Sequence, residues 1–303
     1  MSIKEKVIAL GFFDGVHLGH AALLRRTVEE AAARGVTSAV FTFDRPPKEV
    51  ITGQPCPLIN SAEDRRGLIR RLYDIDEVLM VPFDHEMMTT PWDDFVRDIL
   101  IKRYHAVHLV AGHDHHFGHK NEGSPEGLQA LCARLGLGCD IIPKVEVAGI
   151  TVSSTYIRRL VELGQIDRAN RFLGHPHTLT GVVRHGRGLG SSRLFPTANL
   201  TIPPHVLVPS HGVYVTRVIL DDGSTYPAVT NVGTRPTVNN GSDVTVEACL
   251  LDFAGDLYGR TMRLEFFQHL RDEMRFDSLD ALKARIDADA ETTRRYFVEH
   301  TEL

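Results

Sequence analysis

The sequence contains no long hydrophobic run and no excess of positive charge. No stretch of its 303 residues approaches the ~18 consecutive apolar residues of a membrane-spanning helix, and no apolar signal-peptide core follows Met1. Lys and Arg total 34 against 39 Asp and Glu, which gives a net charge of −5. We therefore expect neither a membrane nor a nucleic acid as a partner, since nucleic-acid-binding domains usually carry a basic surface.

Paired cysteines are also absent. The four cysteines (Cys56, Cys132, Cys139 and Cys249) are scattered and form no C-x-x-C pair. This spacing excludes a dense disulfide framework and favours a reducing compartment, so a cytoplasmic protein is expected. Internal repeats and low-complexity segments are missing as well.

The first half of the chain alternates predicted strands with predicted helices. Strands are predicted at 7–10, 36–43, 77–83, 107–112 and 140–147, and helices at 19–34, 62–73, 91–103 and 125–135. Such alternation is typical of a parallel sheet covered by helices on both faces. Ligands of these sheets bind beyond the carboxyl ends of the strands. The segments 11–20, 44–48 and 112–118 all follow strands and are the candidate binding loops.

After residue 174 the pattern changes to short β-rich runs separated by turn dipeptides such as Asp222-Gly223 and Asn240-Gly241. These runs predict a small antiparallel barrel or sandwich, followed by a last helix capped by Asp277 or Ser278. A length of 303 residues is typical of two domains. We place them at 1–174 and 178–303, with a helical segment at 154–173 before the boundary.

The most distinctive stretch is the first strand–turn–helix, residues 6–24. Its pattern is G-x-F-D-G-x-H-x-G-H, formed by Gly11, Phe13, Asp14, Gly15, His17, Gly19 and His20. It matches neither the P-loop nor the dinucleotide fingerprint. A glycine-rich turn at a helix start presents backbone N–H groups and the positive helix end, which suit a phosphate. His17 and His20 are three residues apart, so both side chains can face one anion; the alternative is a pair of surface or capping histidines.

A second stretch, residues 153–158, has the sequence Ser-Ser-Thr-Tyr-Ile-Arg at a predicted helix start. Hydroxyl groups at a helix N-terminus, followed one turn later by Arg158, can bind a pyrophosphate group. Taken alone, a capped helix with an exposed arginine explains this stretch equally well.

Together the two stretches resemble the signatures of the HxGH nucleotidyltransferases, in the form found in the adenylyltransferase domain of bacterial FAD synthetases. The resemblance implies a Rossmann-like domain that joins FMN to the α-phosphate of ATP and releases pyrophosphate. It implies catalytic roles for His17 and His20. It also implies an ATP-binding set made of Gly11, Phe13, Asp14, Gly15, Gly19, Ser153, Ser154, Thr155 and Arg158.

Two other landmarks of that family are altered. Where the family has T-F-D-P-H-P, this chain has Thr42-Phe43-Asp44-Arg45-Pro46-Pro47, so the histidine is lost and Arg45 is a candidate phosphate ligand. Where the family has G-x-[DN]-F-x-F-G, residues 112–118 keep the pattern with His115 in place of one aromatic ring. The resemblance implies that Asp114 and Phe117 bind flavin.

The same loop is rich in histidine, which raises a metal-site alternative. His113, Asp114, His115, His116 and His119 lie within seven residues. Alternate residues after a strand point to opposite sides, however, whereas zinc ligands must converge. A substrate-binding loop is therefore the favoured interpretation.

The second half resembles the riboflavin kinases. The similarity lies in Gly181 to Gly186, in Gly188 and Gly190, and in the P-T-A-N run that contains Thr197 and Asn199. It implies that Gly186, Gly188 and Gly190 approach ATP phosphates and that Thr197 and Asn199 hold Mg²⁺, a cation that prefers oxygen ligands. A glycine-rich barrel loop is the alternative. Leu194 departs from the family, which commonly has glycine there, and Cys249 stands where it often has histidine.

Glu247, in a Thr-Val-Glu run, matches the catalytic glutamate of the same family. Riboflavin presents a neutral hydroxyl as nucleophile, so a carboxylate base is useful there. An exposed strand glutamate is the alternative interpretation. The resemblance also implies that Arg271 contacts the flavin.

The whole sequence thus predicts a bifunctional enzyme with an α/β domain followed by an antiparallel β-barrel and a terminal helix. ATP and riboflavin give FMN and ADP, and ATP and FMN then give FAD and pyrophosphate, both with Mg²⁺. The alternative is a flavin-binding or regulatory protein, or a homologue with one activity, in which the changes at Arg45, Pro46, His115 and Leu194 have abolished turnover. The sequence leaves the oligomeric state open.

Overall fold

The computed structural model describes residues 4–184, 197–236 and 242–300. The chain divides into two units, one formed by Met1–Cys56 with Ala62–Ser154 and the other by Pro57–Ser61 with Thr155–Leu303. The residues that follow Ser154 therefore group with the second unit. The domain bounds 1–174 and 178–303 stay a prediction.

A five-stranded parallel sheet forms the centre of the first unit. Its elements are β1 (Lys6–Leu10), α1 (Leu18–Arg34), β2 (Thr37–Phe43), α2 (Pro47–Thr52), α3 (Ala62–Tyr73), β3 (Glu77–Val81), α4 (His85–Thr89), α5 (Trp92–Asp94), a π-helix (Phe95–Arg103), β4 (Ala106–Gly112), α6 (Pro125–Leu135), β5 (Gly138–Ile142) and the short strands β6 (Glu146–Val147) and β7 (Ile150–Thr151). The strand order is β3-β2-β1-β4-β5, and every pairing is parallel. The predicted α/β sheet is confirmed.

The sheet separates two apolar layers because successive side chains of a strand point to opposite faces. Val7 and Ala9 of β1 pack with residues of α1 and α3, while Ile8 and Leu10 pack with the π-helix and α6. The sheet order makes β2, β1 and β4 neighbours. The three candidate binding loops, which follow these strands, therefore share the carboxyl edge of the sheet.

One predicted strand is shorter than expected. The prediction of a continuous strand over 140–147 is wrong beyond Ile142, where β5 ends. Residues 146–151 instead form the small hairpin of β6 and β7. Its turn residues, Ala148 and Gly149, have positive φ angles of 50° and 76°, a conformation that an extended strand does not contain.

A closed antiparallel barrel forms the second unit. Its elements are α7 (Ser154–Glu162, whose first residue belongs to the first unit), α8 (Ile166–Leu173), β8 (His177–Arg184), β9 (Thr197–Thr201), β10 (Gly212–Leu220), β11 (Thr225–Pro236), β12 (Ser242–Leu250), β13 (Thr261–Arg271) and α9 (Leu279–Glu299). The order around the barrel is β10-β11-β12-β9-β8-β13. The barrel is confirmed over the sandwich. Ser278 caps α9 by accepting a hydrogen bond from the Ala281 N–H at 3.1 Å.

Helix α8 is fastened to the barrel by one side chain. The Asn170 amide donates to the Phe266 carbonyl at 2.8 Å, and its oxygen accepts from the His177 N–H at 2.8 Å. Ile166 and Leu173 of the same helix are fully buried. These contacts explain why the residues after Ser154 group with the barrel.

His177, on β8, is a titratable side chain in the barrel interior. It has no exposed surface and lies against the Phe266 ring, with 5.8 Å between the ring centroids. Burial lowers the pKa of His177 from 6.5 to about 4, His175 adds to the shift, and the Leu207 backbone opposes it. His177 is therefore neutral in the folded barrel but binds a proton at pH 5 once the chain unfolds.

We expect the barrel to lose stability as the pH falls from about 6.5 to about 4. Because the unfolded state binds more protons in this window, His177 alone should lower the free energy of unfolding by about 2 kcal/mol between pH 7 and pH 5. The measurement is urea unfolding at both pH values, followed by pulsed hydrogen exchange of β10 peptides. His177→Gln should remove this part of the pH dependence, while His300→Gln, at an exposed histidine, should keep it. An equal pH dependence in both variants contradicts the prediction.

Candidate active sites

The loop between β1 and α1 has an unusual and deeply buried backbone. Phe13, Gly15 and Val16 adopt positive φ angles of 59°, 83° and 43°. This region suits glycine but is rare for a β-branched residue such as valine. Phe13 and Val16 are at most 1% exposed and belong to the core formed with α1 and α3. Core packing therefore holds the loop in a conformation that its sequence alone disfavours.

His17 and His20 lie side by side at the start of α1. Their rings stack with 3.6 Å between centroids and 12° between planes. Nδ1 of His17 accepts a hydrogen bond from the His20 backbone N–H at 3.3 Å, which caps the helix. A neutral His17 that accepts at Nδ1 carries its proton on Nε2, so Nε2 is a donor. The structure thus brings the two predicted catalytic histidines together.

The charge state of His20 differs from that of a free histidine. The pKa of His20 is lowered well below 6.5, chiefly by burial, and further by His17 and by Arg65. In this state His20 is a neutral hydrogen-bond donor at neutral pH. An anion bound beside His20 would raise this pKa, since negative charge favours the protonated ring.

Gly11 in the loop and Gly19 in the first turn of α1 leave room for aromatic rings. A Cβ at Gly19 would lie 3.1 Å from the His17 ring, and a Cβ at Gly11 would lie 3.0 Å from the Phe13 ring. Both distances are shorter than ordinary van der Waals contact. The spacing of the glycines therefore fixes where these two rings lie.

Ser154 of the second signature stretch, which belongs to the first unit, contacts the loop between β1 and α1. Ser154 donates a hydrogen bond from Oγ to the backbone carbonyl of Asp14 at 2.9 Å, and Asp14 is 2% exposed. Ser153 directly precedes Ser154 in the same unit. Thr155 and Arg158 belong to the second unit, so their part in binding ATP stays a prediction.

The altered segment after β2 presents an exposed arginine. The Arg45 side chain is 61% exposed, with its Nε 3.8 Å from a carboxylate oxygen of Asp44. Asp44 also accepts a hydrogen bond from the Phe83 N–H at 3.3 Å. Pro46 directly precedes α2. The role of Arg45 as a phosphate ligand stays a prediction.

The loop after β4 carries one exposed and one buried candidate. The Asp114 side chain is 83% exposed, whereas Phe117 is 8% exposed and packs against Phe95 and Trp92. His115 lies parallel to the Phe117 ring, at 5.3 Å and 17°, so it takes the place of the missing aromatic residue. Burial lowers the pKa of His115 to about 4, which keeps this ring neutral. Flavin binding by Asp114 and Phe117 stays a prediction.

The barrel brings its predicted residues together by strand register. Asn199 on β9 lies directly opposite Glu247 on β12, and Thr197 lies opposite Cys249. Thr197, Asn199 and Glu247 therefore share one face of the sheet, because alternate residues of a strand point the same way. The other face carries Ala198, Leu200 and Val246, all at most 8% exposed. The two predicted Mg²⁺ ligands and the predicted base thus lie on the same face of the sheet; their roles stay a prediction.

Two further polar residues adjoin that face, and the sequence analysis assigned neither of them a role. Asn231 on β11 is the register partner of Glu247 on its other side. A Cβ at Gly233 would lie 2.3 Å from a carboxylate oxygen of Glu273 and 3.3 Å from the Asn231 amide nitrogen. Glycine at position 233 therefore admits the Glu273 carboxylate beside Asn231. In the sequence these residues are marked only by the Asn-Val-Gly run at 231–233. That Asn231 lies opposite Glu247 becomes visible only from the strand register.

Comparisons with known proteins match two enzyme families along the chain. Residues 1–156 match the family described as FAD synthetase, and residues 173–297 match the family described as riboflavin kinase. Bifunctional riboflavin kinase/FMN adenylyltransferases are among its relatives. The one from Pseudomonas fluorescens is 38% identical over 95% of this chain and 92% of its own length. This chain belongs to that family.

Other members of the family show the same extent of similarity. The bifunctional riboflavin kinase/FMN adenylyltransferase of Escherichia coli K12 is 36% identical over 96% of this chain and 92% of its own. The Listeria monocytogenes protein is 33% identical over 97% of this chain and 93% of its own length. A crystal structure from Streptococcus pneumoniae, described as a macrolide-efflux protein, has a TM-score of 0.85 at 30% identity and covers 97% of this chain and 95% of its own. Its fold therefore extends over both units.

Family membership confirms the predicted fold and the predicted enzyme class. Both enzyme domains are present in one chain, which supports the two-activity interpretation over the flavin-binding alternative. Within residues 4–184, 197–236 and 242–300, every helix is too short or too polar to span a lipid bilayer.

Several predicted site residues remain without a structural test. Gly186, Gly188, Gly190 and the altered Leu194 lie outside the described residues. Arg271 is described, and its guanidinium donates from Nε and Nη2 to the buried Asp289 carboxylate at 3.0 and 2.8 Å. This ion pair joins β13 to α9, and contact of Arg271 with flavin stays a prediction.

Among the described residues, no group of three or more His, Cys, Asp or Glu side chains is arranged to hold a metal, the histidine-rich loop included.

Gly19→Ala tests the geometry of the stacked histidines. The added methyl group should displace the His17 ring by a few tenths of an ångström and lower the rate of FMN adenylylation about tenfold, because reaction rates depend steeply on alignment. The measurement is the conversion of FMN to FAD with ATP.

The matched control is Gly67→Ala, at a helical glycine of α3 whose Cβ would meet no atom within 4 Å. This variant should keep the full rate. Equal rates in the two variants contradict the proposed role of Gly19.

Proposed function

We propose that the barrel unit phosphorylates riboflavin to FMN and that the parallel-sheet unit adenylylates FMN to FAD, with ATP as co-substrate of both reactions. The observation that carries the proposal is the contrast between the two polar sites. One presents a stacked histidine pair at a helix start, and the other presents a carboxylate beside Asn199 on a rigid barrel strand. Each arrangement suits one of the two reactions.

In the first unit the nucleophile is the phosphate of FMN, which is ionised near neutral pH and needs no base. The site must align the nucleophile with the α-phosphate and stabilise negative charge on the transferring and leaving groups. His17 and His20 supply donors for these oxygens, together with the N-terminal N–H groups of α1. Ser154 contributes by holding the loop at Asp14.

In the barrel the nucleophile is the neutral 5′-hydroxyl of riboflavin. Its proton must leave as the bond to the γ-phosphate forms, and a carboxylate within hydrogen-bond reach can accept it. Glu247 occupies a strand that is paired on both sides, by β9 and β11. The carboxylate therefore projects from a backbone that both neighbours hold in place.

Asn199, opposite Glu247, and Thr197, two residues earlier on β9, suit a magnesium ion. Thr197 and Asn199 present side-chain oxygens, the ligand type that Mg²⁺ prefers, with phosphate oxygens and water completing its shell. When bound there, the ion neutralises charge on the ATP phosphates. We place the reactions in the cytoplasm, since all four cysteines are free thiols.

The decisive experiment separates the two reactions by substitution. The protein is incubated with ATP, Mg²⁺ and either riboflavin or FMN, and the flavins are resolved by chromatography. Glu247→Ala should lower FMN formation by about 10²-fold or more, because general-base catalysis is lost, and should leave FMN-to-FAD conversion intact. His20→Ala should do the opposite, with a loss of about 10²-fold.

Glu291→Gln, at an exposed glutamate of α9, is the control and should keep both activities. If Glu247→Ala and His20→Ala each reduce both steps to the same extent, the assignment of separate sites is wrong. If the wild-type protein forms neither FMN nor FAD, the flavin-binding alternative replaces the proposal.

A second test concerns the charge on His20. Since burial and two neighbouring groups lower its pKa in the free protein, binding of ATP should raise it through the negative triphosphate. The measurement is a pH titration of ¹⁵N-labelled histidine by NMR, with and without a non-hydrolysable ATP analogue and Mg²⁺. An upward shift of at least about one unit is expected for His20. A pKa unchanged by the nucleotide contradicts its role at the phosphates.

A further inference from the structure

Arg65 is a buried cation whose surroundings do not account for it. It is the largest side chain with no exposed surface in the described part of the chain. Its Nη2 donates to the Phe43 carbonyl, and its guanidinium lies over the Phe12 ring, 4.1 Å from the centroid. Nε and Nη1 are buried and lack hydrogen-bond partners. A buried charge with two unsatisfied donors is costly, so the site is one where function is expected to compensate.

The contacts of Arg65 converge on the carboxyl edge of the sheet. Phe43 ends β2, and Phe12 lies in the loop that follows β1. The two strand ends are also joined directly, by a hydrogen bond from Thr42 Oγ1 to the Phe12 carbonyl at 3.0 Å. Arg65 reaches this place from α3, an element that carries none of the family signatures.

The electrostatic neighbours of Arg65 belong to the same edge. Asp14 and Asp44 favour its charged form, while burial lowers its pKa from 12.5 to about 10, so the guanidinium remains charged at neutral pH. Arg65 and His17 both lower the pKa of His20. The field of Arg65 therefore reaches the stacked histidine pair.

We propose that Arg65 is a positioning residue for adenylyl transfer, whose guanidinium holds the ends of β1 and β2 together and thereby sets where His17 and His20 lie. The inference rests on the proposed function of the first unit. Its charge also adds to the effects of burial and of His17, which lower the pKa of His20 and keep its ring a neutral donor. Arg45, the arginine that the sequence suggests for this site, is by contrast 61% exposed, with its Nε 3.8 Å from Asp44.

The test compares two substitutions of Arg65. Arg65→Met keeps the apolar length but removes the charge and the planar donors, and Arg65→Lys restores the charge alone. We expect Arg65→Met to lower kcat for FMN adenylylation about tenfold or more, with KM for ATP and FMN changed less than about threefold, because alignment is lost and not binding. Arg65→Lys should recover part of this loss.

The pKa of His20 provides a readout that a purely structural role would leave unchanged. Removal of a neighbouring positive charge should raise it in Arg65→Met, whereas Arg65→Lys should leave it near the wild-type value. The measurement is the NMR titration of the free protein, which needs no turnover. Riboflavin phosphorylation by the same variants serves as an internal reference and should match the wild type.

Arg66→Met is the matched control, since Arg66 is the exposed neighbour on the same helix, and it should behave as the wild type. If circular dichroism shows that Arg65→Met does not fold, Phe12→Leu is tested in its place. This variant removes the ring under the guanidinium and keeps the charge, and it should lower kcat for FMN adenylylation at least threefold. The inference is overturned if the folded Arg65→Met variant keeps the wild-type kcat. It is also overturned if Phe12→Leu, used in place of an unfolded Arg65→Met, keeps the wild-type kcat. An unshifted His20 pKa in Arg65→Met overturns it as well. A wild-type protein without adenylyltransferase activity overturns the proposed function instead.

Discussion

Burial of the loop between β1 and α1 is the constraint on which the first unit depends. Phe13 and Val16 adopt left-handed backbone conformations, and each such residue costs on the order of 1–3 kcal/mol. Burying each of the same two side chains contributes about 1.5–3 kcal/mol, which offsets that cost. The position of the stacked histidines therefore depends on the hydrophobic core, since the start of α1 is fixed only when the preceding loop is packed.

The barrel solves a different chemical problem with a different kind of rigidity. There the carboxylate proposed as the base is fixed by strand register and not by a strained turn. Glu247 lies between Asn199 and Asn231, which are far from it in sequence and adjacent to it across the ladder. A slip of one residue would turn its side chain into the barrel interior. The stacked histidines are thus held in place by core packing, whereas Glu247 is held in place by hydrogen-bonded strand pairing.

Much of this arrangement could be predicted from the sequence, because periodicity and glycine spacing are local signals. The limits of α3 and α6 agree with the predicted limits, and the two histidines lie together as their spacing indicates. Strand β9 gives a weak signal in the sequence because its five residues contain a single large apolar side chain, Leu200. The neighbours of Glu247 depend on register, which the sequence does not display. Arg65 sits in a charged run that suggests a solvated helix face, although its spacing to Leu68 and Ile69 places it on the apolar stripe.

The packing of Trp92 has an optical consequence. This residue is the only tryptophan of the chain, and its ring lies 6.2 Å from that of Phe117 in the loop after β4. Its backbone also lies so close to Gly118 that any Cβ there would overlap it. Indole emission therefore originates in one unit alone, next to a loop expected to contact flavin. Because an isoalloxazine ring absorbs in the range where indole emits, quenching by energy transfer would let the protein report a flavin's arrival at this unit without a label.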